Sequence, residues 1–379
     1  MPEIVQNRDT LIDSVRTIAL TAVIVVNMMT ISGLAYMTPD MRAETLGTVN
    51  LAAWFAIDAL VESKAMAAFS FMFGLSFSLI LQKAQETGEP LDMQFLRRLL
   101  VLGGIGVFNA LFLFWADILM SYALLGLILP LAARLPRPLV TALALALLLA
   151  GPVSMALVGL DAPKPVPEGH VQSLDAFASS DYADVVYQNW QMVANAPSDA
   201  NSMLAVRFFA LSGLFLLGLA VGRSGFLDHL PHYRQPLLRA GALFVGLGLT
   251  LELALVFEWA TGPETALFHL SAPLMALGYL MVLTSVLQGV PRLRRFLAPL
   301  GRMSLTGYLM SAALGQLVFY GWGFQLIGAV GTLGVVAIAL ALVLVLLSFA
   351  HLWFRLYRHG PWEWLWRSLS RMRWQPIAQ

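Results

Sequence analysis

The strongest constraint on this chain is the recurrence, along nearly its whole length, of apolar runs of about twenty residues with few charges. At about 1.5 Å of rise per residue, such a run as a helix covers the roughly 30 Å of hydrocarbon in a bilayer. Inside lipid each backbone polar group must bond within the protein, which leaves the helix or the closed barrel. Continuous runs such as Val335–Leu347 lack the alternation of apolar and polar residues that a barrel strand needs. Charged residues make up 12% of the 379, against about 25% in soluble domains, too few to coat a water-facing surface. The expected fold class is all-α: a polytopic transmembrane helix bundle forming one membrane domain over residues 1–379.

Ten spans are expected: Val15–Met37, Asn50–Gln82, Leu96–Trp115, Asp117–Ala133, Leu139–Leu160, Met203–Val221, Pro236–Ala260, Leu267–Leu287, Ser304–Gly323 and Gln325–Phe354. The first is too long for the roughly 7–15-residue core of a signal peptide and no small-residue cleavage site follows it, so it reads as an uncleaved span. The second exceeds one crossing, so its outer end must bend, tilt or protrude. The third and fourth meet at Trp115–Asp117 with almost no loop and should form a tight hairpin.

With the N terminus in the cytoplasm, the ten spans place all but four of the 23 Lys and Arg residues in cytoplasmic segments. Arg42 and Lys164 fall outside, and Lys64 and Arg207 lie in or at the edge of spans. That bias supports the count and puts both termini inside. Residues 161–202 form the one long outer loop, in which Tyr182, Val185, Val186, Trp190 and Val193 have the spacing of an amphipathic helix; a solvated connector is the alternative. The tail 355–379 sets Trp362, Trp364, Trp366 and Trp374 among Arg367, Arg371 and Arg373, as an interfacial anchor requires.

Ionisable groups inside a bilayer are costly, on the order of 2.5–3.5 kcal/mol each on insertion scales, and so mark pairs or sites. Counted along the helices, Asn27 lies near the midplane. Asp58, Glu62, Lys64, Asp117, Arg207, Glu258 and His269 gather towards the outer side, with Glu252 close by. Asp58 and Glu62, at i and i+4, share a helix face, so Lys64 needs a partner from another helix, and Asp117 or Glu252 would serve. The expectation is a polar cavity open to the outside; the ordinary alternative is ion pairs that hold the bundle together. On the inner side Asp13 and Arg16 stand at the start of the first span, and Arg97 and Arg98 at the start of the third. Arginines so placed can bind phosphate or simply set topology. The runs Phe69–Ser78 and Leu102–Ala110 carry small residues spaced for close helix packing.

The chain has no cysteine, so disulfides, thiolate metal sites and cysteine nucleophiles are excluded. Its six histidines form no metal-ligand spacing, no metal is expected, and neither a phosphate-binding glycine loop nor a nucleophile elbow is present.

Several blocks together resemble the YeiB-like membrane proteins, the family called domain of unknown function 418. They are LIDSVRTIALTAVIVVN (Leu11–Asn27), ESKAMAAFSFMFGLSFSL (Glu62–Leu79), RRLLVLGGIGVFNALFLFWADILMSYALLG (Arg97–Gly126), GRMSLTGYLM (Gly301–Met310) and HGPWEWLWRSL (His359–Leu369). The resemblance implies a bacterial inner-membrane protein remotely like transmembrane acyltransferases, which take an acyl group from a cytoplasmic donor such as acyl-coenzyme A to an acceptor on the outer side. Glu62, Lys64, Asp117 and Tyr122 match the family pattern and are the expected catalytic positions. Asp13, Arg16, Asn27, Arg97, Arg98, Asn109, Arg207 and Glu252 are the expected substrate-binding positions. Asn109 stands where the resemblance implies a histidine, and an amide cannot act as a base near neutral pH. Thr17, Gly307 and Ser311 depart from the pattern as well. The partners expected are the bilayer, an acyl donor and an envelope or lipid-linked acceptor, not nucleic acid. A secondary transporter is the alternative, since the outer loop divides the spans five and five, although the halves share no sequence similarity. A membrane scaffold without turnover is a third reading.

Overall fold

The computed structural model describes residues 2–87, 91–158, 168–199, 201–257 and 263–378. The regular elements there are helices, apart from an isolated antiparallel bridge between Tyr357 and Ala378. In chain order they are α1 (Pro2–Ile31), α2 (Pro39–Leu60), α3 (Glu62–Thr87), α4 (Leu91–Phe108), α5 (Leu119–Leu125), α6 (Ile128–Ala133), α7 (Arg137–Val158) and α8 (Glu168–Phe177). Then follow α9 (Tyr182–Asp199), α10 (Asn201–Gly222), α11 (Arg234–Val256), α12 (Ser271–Gly289), α13 (Pro291–Arg302), α14 (Ser304–Phe319), α15 (Thr332–Trp353) and α16 (Pro361–Ser370).

Among the described residues, 7 helical stretches are long and apolar enough to cross a membrane. They coincide with the first, second, third, fifth, seventh, eighth and tenth expected runs. The fourth, sixth and ninth correspond to the shorter apolar helices Leu119–Ala133, Phe208–Gly222 and Ser304–Phe319. The molecule is therefore an all-α polytopic membrane helix bundle.

The over-long second run breaks at Val61 (φ −125°, ψ −45°), between α2 and α3. Asp58 and Glu62 thus belong to different helices, and the expectation that they share one continuous helix face is corrected. The tight hairpin is made by a π-helical turn, Asn109–Leu113, followed by extended Phe114 (φ −157°, ψ 107°) and α5. A π turn is wider than an α turn and leaves carbonyls without their usual partners. Here Leu111 accepts from the Asn189 side chain (3.1 Å), Phe112 from the Tyr182 hydroxyl, and Leu113 from the Gln316 amide.

Asn189 and Tyr182 lie on α9, so the long loop is folded onto the hairpin. Its inward face is Val185, Asn189 and Met192, while Trp190 is 54% exposed. The helix expected there exists, but its buried face is centred one position away from the expected stripe.

Glycine allows the closest approaches. A Cβ at Gly74 of α3 or Gly218 of α10 would overlap the backbone of the opposite helix, the small-residue packing expected for Phe69–Ser78. A Cβ at Gly301 of α13 would overlap the Asp13 carbonyl of α1. α13 is held along α1 by the hydroxyls of Ser14 and Thr17, which donate to the carbonyls of Arg294 (2.6 Å) and Leu297 (2.7 Å).

Candidate functional site

A cavity of about 600 Å³ opens at the end of the bundle that carries Lys83 and Arg302. Its α3 wall runs from Lys83 to Phe69, fourteen residues or about 21 Å of helix. Around the mouth stand Arg16, Lys83, Arg98, Arg302, Arg367 and Arg371. Deeper, the walls become apolar: Leu20 and Val23 of α1, Phe69, Met72 and Phe73 of α3, Leu99 and Leu102 of α4. One hollow thus offers cations at its opening and hydrocarbon contact inside, the two halves of an amphiphilic anion.

Arg16 is fixed on three sides. Its guanidinium bonds Asp13 Oδ1 (2.7 Å), the Gly301 carbonyl (3.4 Å) and the Ser76 hydroxyl (3.0 Å). Asp13 therefore orients Arg16, and the absent side chain at Gly301 lets α13 come close enough to take part.

The floor is formed by Ile118, Leu119, Tyr122 and Tyr308. The Tyr122 hydroxyl donates to the Met66 carbonyl and pairs with the Ser70 hydroxyl, both at 2.9 Å. The Tyr308 hydroxyl accepts from the Ile118 amide at 3.4 Å. Next to Ile118, Asp117 accepts from the Asn109 side chain (2.7 Å) and the Met120 amide (2.8 Å). Asn109, Asp117 and Tyr122 are thus brought to one end of the cavity, where Asp117 ties the π turn to the first turn of α5.

The tail has a place that its sequence reading did not give it: α16 contributes Glu363, Trp366 and Arg367 to one wall of the cavity, with Arg371 just past its end. Glu363 receives the Leu305 and Thr306 amides (2.8 and 3.1 Å) and the Thr306 hydroxyl (2.6 Å), capping the start of α14. Burial holds this carboxyl above the usual range, against the pull of those hydrogen bonds. The Trp366 ring nitrogen donates to the Arg98 carbonyl (2.7 Å), and the Arg98 guanidinium lies 4.7 Å from that ring's centroid. The signal in the sequence was spacing: Glu363, Arg367 and Arg371 recur every fourth residue on one helix face.

Other expected site residues lie elsewhere. Lys64, 3% exposed, forms an ion pair with Glu252 at 2.8 Å and donates to the Asp58 carbonyl at 3.3 Å. The second Glu252 oxygen accepts from Ser271 at 2.5 Å. Of the two partners expected for Lys64, the structure selects Glu252. Neither residue lines the basic-mouthed cavity, and neither does Glu62, which is exposed at the first turn of α3. The cavity of about 600 Å³ thus opens among the arginines rather than around these residues. Arg97 is exposed beside Arg98 and does not line it. Asn27 is buried within α1, its amide nitrogen without a hydrogen-bond partner. The side chain of Arg207, and Glu258 altogether, lie outside the described residues. No group of three or more metal-ligating side chains occurs among the described residues.

These features define a class: a multi-pass helical membrane protein with an amphiphilic cavity walled in part by its own C-terminal helix. The family described as "Protein of unknown function (DUF418)" matches residues 221–373, from the end of α10 past α16. "Uncharacterized protein YxaH" of Bacillus subtilis is 30% identical over 406 residues, covering 100% of this chain and 98% of its own. "Uncharacterized protein YeiB" of Escherichia coli is 29% identical over 393 residues, covering 96% of each chain. The chain belongs to this YeiB-like family and is a multi-pass protein of the bacterial inner membrane. No solved structure matches it.

Proposed function

We propose that the protein is a membrane-embedded acyltransferase that receives its acyl donor, an acyl thioester carrying phosphate groups, in the basic-mouthed cavity. The observation that carries this reading is the polarity gradient of that one hollow, from Arg16, Lys83 and Arg98 at the opening to Phe69, Phe73 and Leu102 within. The donor's anionic head stays among the guanidinium groups while its acyl chain leaves water for contact with the apolar walls, worth about 0.8 kcal/mol per buried methylene. The orientation in this reading has ten spans and both termini in the cytoplasm, so the mouth faces the cytoplasmic donor. The Lys and Arg alternation supports it.

The acceptor, a hydroxyl or amine of an envelope or lipid-linked molecule, reaches the floor from the opposite end, where Glu62 lies two helical turns beyond Phe69. Its oxygen or nitrogen attacks the thioester carbonyl carbon. The new bond forms as the carbon–sulfur bond breaks, and the thiolate departs towards the mouth, where it is protonated from solvent as Asp117 gives up to solvent the proton it took from the acceptor. Asp117, one residue from Ile118 in the floor, accepts the acceptor's proton, a role the Asn109 amide cannot fill. The Tyr308 hydroxyl stands in the floor as a donor for the developing oxyanion. Lys64 and Glu252 take no part in this chemistry and hold α3 to α11.

The test is equilibrium binding of acetyl- and octanoyl-coenzyme A to the purified protein in detergent. Octanoyl-coenzyme A should bind more tightly, and filling the interior with Leu102→Trp, or separately Val23→Phe, should weaken it at least tenfold with the thermal midpoint little changed. Absence of saturable binding, or affinity indifferent to both variants while both remain folded, would overturn the reading.

A further inference from the structure

The cations at the mouth are not spread evenly. Arg367 on α16 and Arg371 just past its end, four residues apart, line the cavity with Arg98 from α4, which lies within electrostatic reach of both. Like charges collected in this way repel one another, and an ordinary protein surface would intersperse acids among them. The acid within this wall, Glu363, has both carboxylate oxygens committed to the start of α14. The Arg98 guanidinium lies over Trp366 and its own carbonyl is held by that ring's nitrogen, and the Arg371 guanidinium donates to the Gln375 side-chain oxygen (3.0 Å), so two of the three arginines are oriented before anything binds. α16 is itself anchored: Trp362 donates its amide to the Thr306 hydroxyl (3.0 Å) and packs its ring, tilted, against Phe108 of α4. The residues after it fold back, Arg358 donating its amide to the Ile377 carbonyl (2.9 Å).

We propose that Arg98, Arg367 and Arg371 form a phosphate-binding site built jointly by α4 and the C-terminal helix, which takes the phosphate of a ligand whose apolar part occupies the cavity. Three arginines lining one cavity, one from α4 and two from the tail, supply the planar paired donors that phosphate oxygens accept. A dianionic phosphate relieves their mutual repulsion, which explains why the wall tolerates it. The site rests on the proposed donor reading only for the nature of the apolar part; the phosphate chemistry follows from the arginines alone. The phosphate can come from a soluble ester or from an anionic phospholipid headgroup, and the two sources are separable.

The experiment uses the full chain in nanodiscs of phosphatidylcholine, with coenzyme A as the soluble probe and phosphatidylglycerol added to the bilayer as the lipid probe. Arg367→Gln/Arg371→Gln is compared with Arg97→Gln, which removes a neighbouring charge outside the cavity. In the soluble case, coenzyme A binds saturably, weakens about tenfold or more in the double variant and less than twofold in Arg97→Gln, and loses affinity as salt is raised. In the lipid case, phosphatidylglycerol remains with the wild type in native mass spectra and is lost from the double variant alone. Arg367→Lys/Arg371→Lys should recover part of the affinity if charge acts there, and the thermal midpoint reports whether each variant is folded. Equal effects of Arg97→Gln and the double variant, or retention of neither probe, would refute the site. Failure of the acyl-donor reading looks different: coenzyme A or lipid would still bind through the arginines, while Leu102→Trp and acyl-chain length made no difference.

Discussion

Two clusters of charge lie within this apolar bundle, and they are built on opposite principles. Around Lys64 the charges are neutralised: the ammonium meets Glu252 at 2.8 Å, and the other Glu252 oxygen is taken by Ser271. At the cavity mouth six cations line one hollow; Arg16 is paired with Asp13 at 2.7 Å, while Glu363, the acid beside Arg367 and Arg371, bonds the start of α14. A buried charge without its partner is costly, so the first arrangement serves the fold, and the excess of cations in the second is what the proposed ligand would neutralise. Depth along the helix, the quantity a sequence provides, does not separate the two.

The largest expected effect tests the first half of that contrast. Lys64→Met or Glu252→Leu alone leaves a buried charge unpaired and should destabilise the protein by about 3–5 kcal/mol, whereas the double substitution should return to within ~1 kcal/mol of wild type. Thermal or denaturant unfolding in detergent measures all three. Lys83→Gln, at the hydrated mouth, should cost less than about 1 kcal/mol. If Lys83→Gln proved as damaging as Lys64→Met, the division into structural and ligand-facing charge would collapse.

A smaller effect comes from the backbone that carries the mouth. Gly301→Ala places a methyl group where the Asp13 carbonyl sits. Forcing α13 from α1 should cost about 1–3 kcal/mol and shift Arg16, which bonds both Asp13 and the Gly301 carbonyl. Gly104→Ala in α4 is the control: its Cβ would meet nothing within 4 Å, so gained helix propensity should make it neutral or stabilising by up to about 1 kcal/mol. Comparable losses from both glycines would mean that α4 and α13 are simply intolerant of change.

Much of this was legible in the sequence, and what was missed shares one cause. The apolar runs, the break in the second, the Trp115–Asp117 hairpin and the need of Lys64 for an interhelical partner follow from local periodicity and from the cost of charge in lipid. The cavity does not, because its wall joins Arg16, Arg98, Arg302 and Arg367, positions far apart in the chain. Read one at a time, each arginine is an ordinary topology determinant, and four tryptophans among arginines make a good membrane anchor. What assigns the tail to the site is Glu363 capping a helix that starts some sixty residues earlier, a contact no local pattern encodes. Asn109 shows the converse: its departure from the family pattern was visible at once, but its hydrogen bond to Asp117 depends on the π turn between them.

The smallest effect probes that cap through pH. Glu363 is buried on the tail helix, and desolvation raises its carboxyl above the usual range despite the bonds from Leu305 and Thr306. A carboxyl of raised affinity binds its proton more tightly in the folded than in the unfolded chain. Its contribution to stability is therefore fully present at low pH and is lost as pH rises through the folded-state value. Glu363→Gln removes that titration while keeping an oxygen to accept from the α14 amides. As pH rises from the ordinary carboxylate range through the raised folded-state value, the wild-type unfolding free energy should fall relative to the variant's, by up to about 1.4 kcal/mol for each unit by which the folded value is raised. Other titrating groups cancel in the difference between the two proteins. A difference that stays flat across the range would show that the cap is held as an ordinary ionised carboxylate, and the acid in the arginine wall would then be a charge that a bound phosphate must oppose.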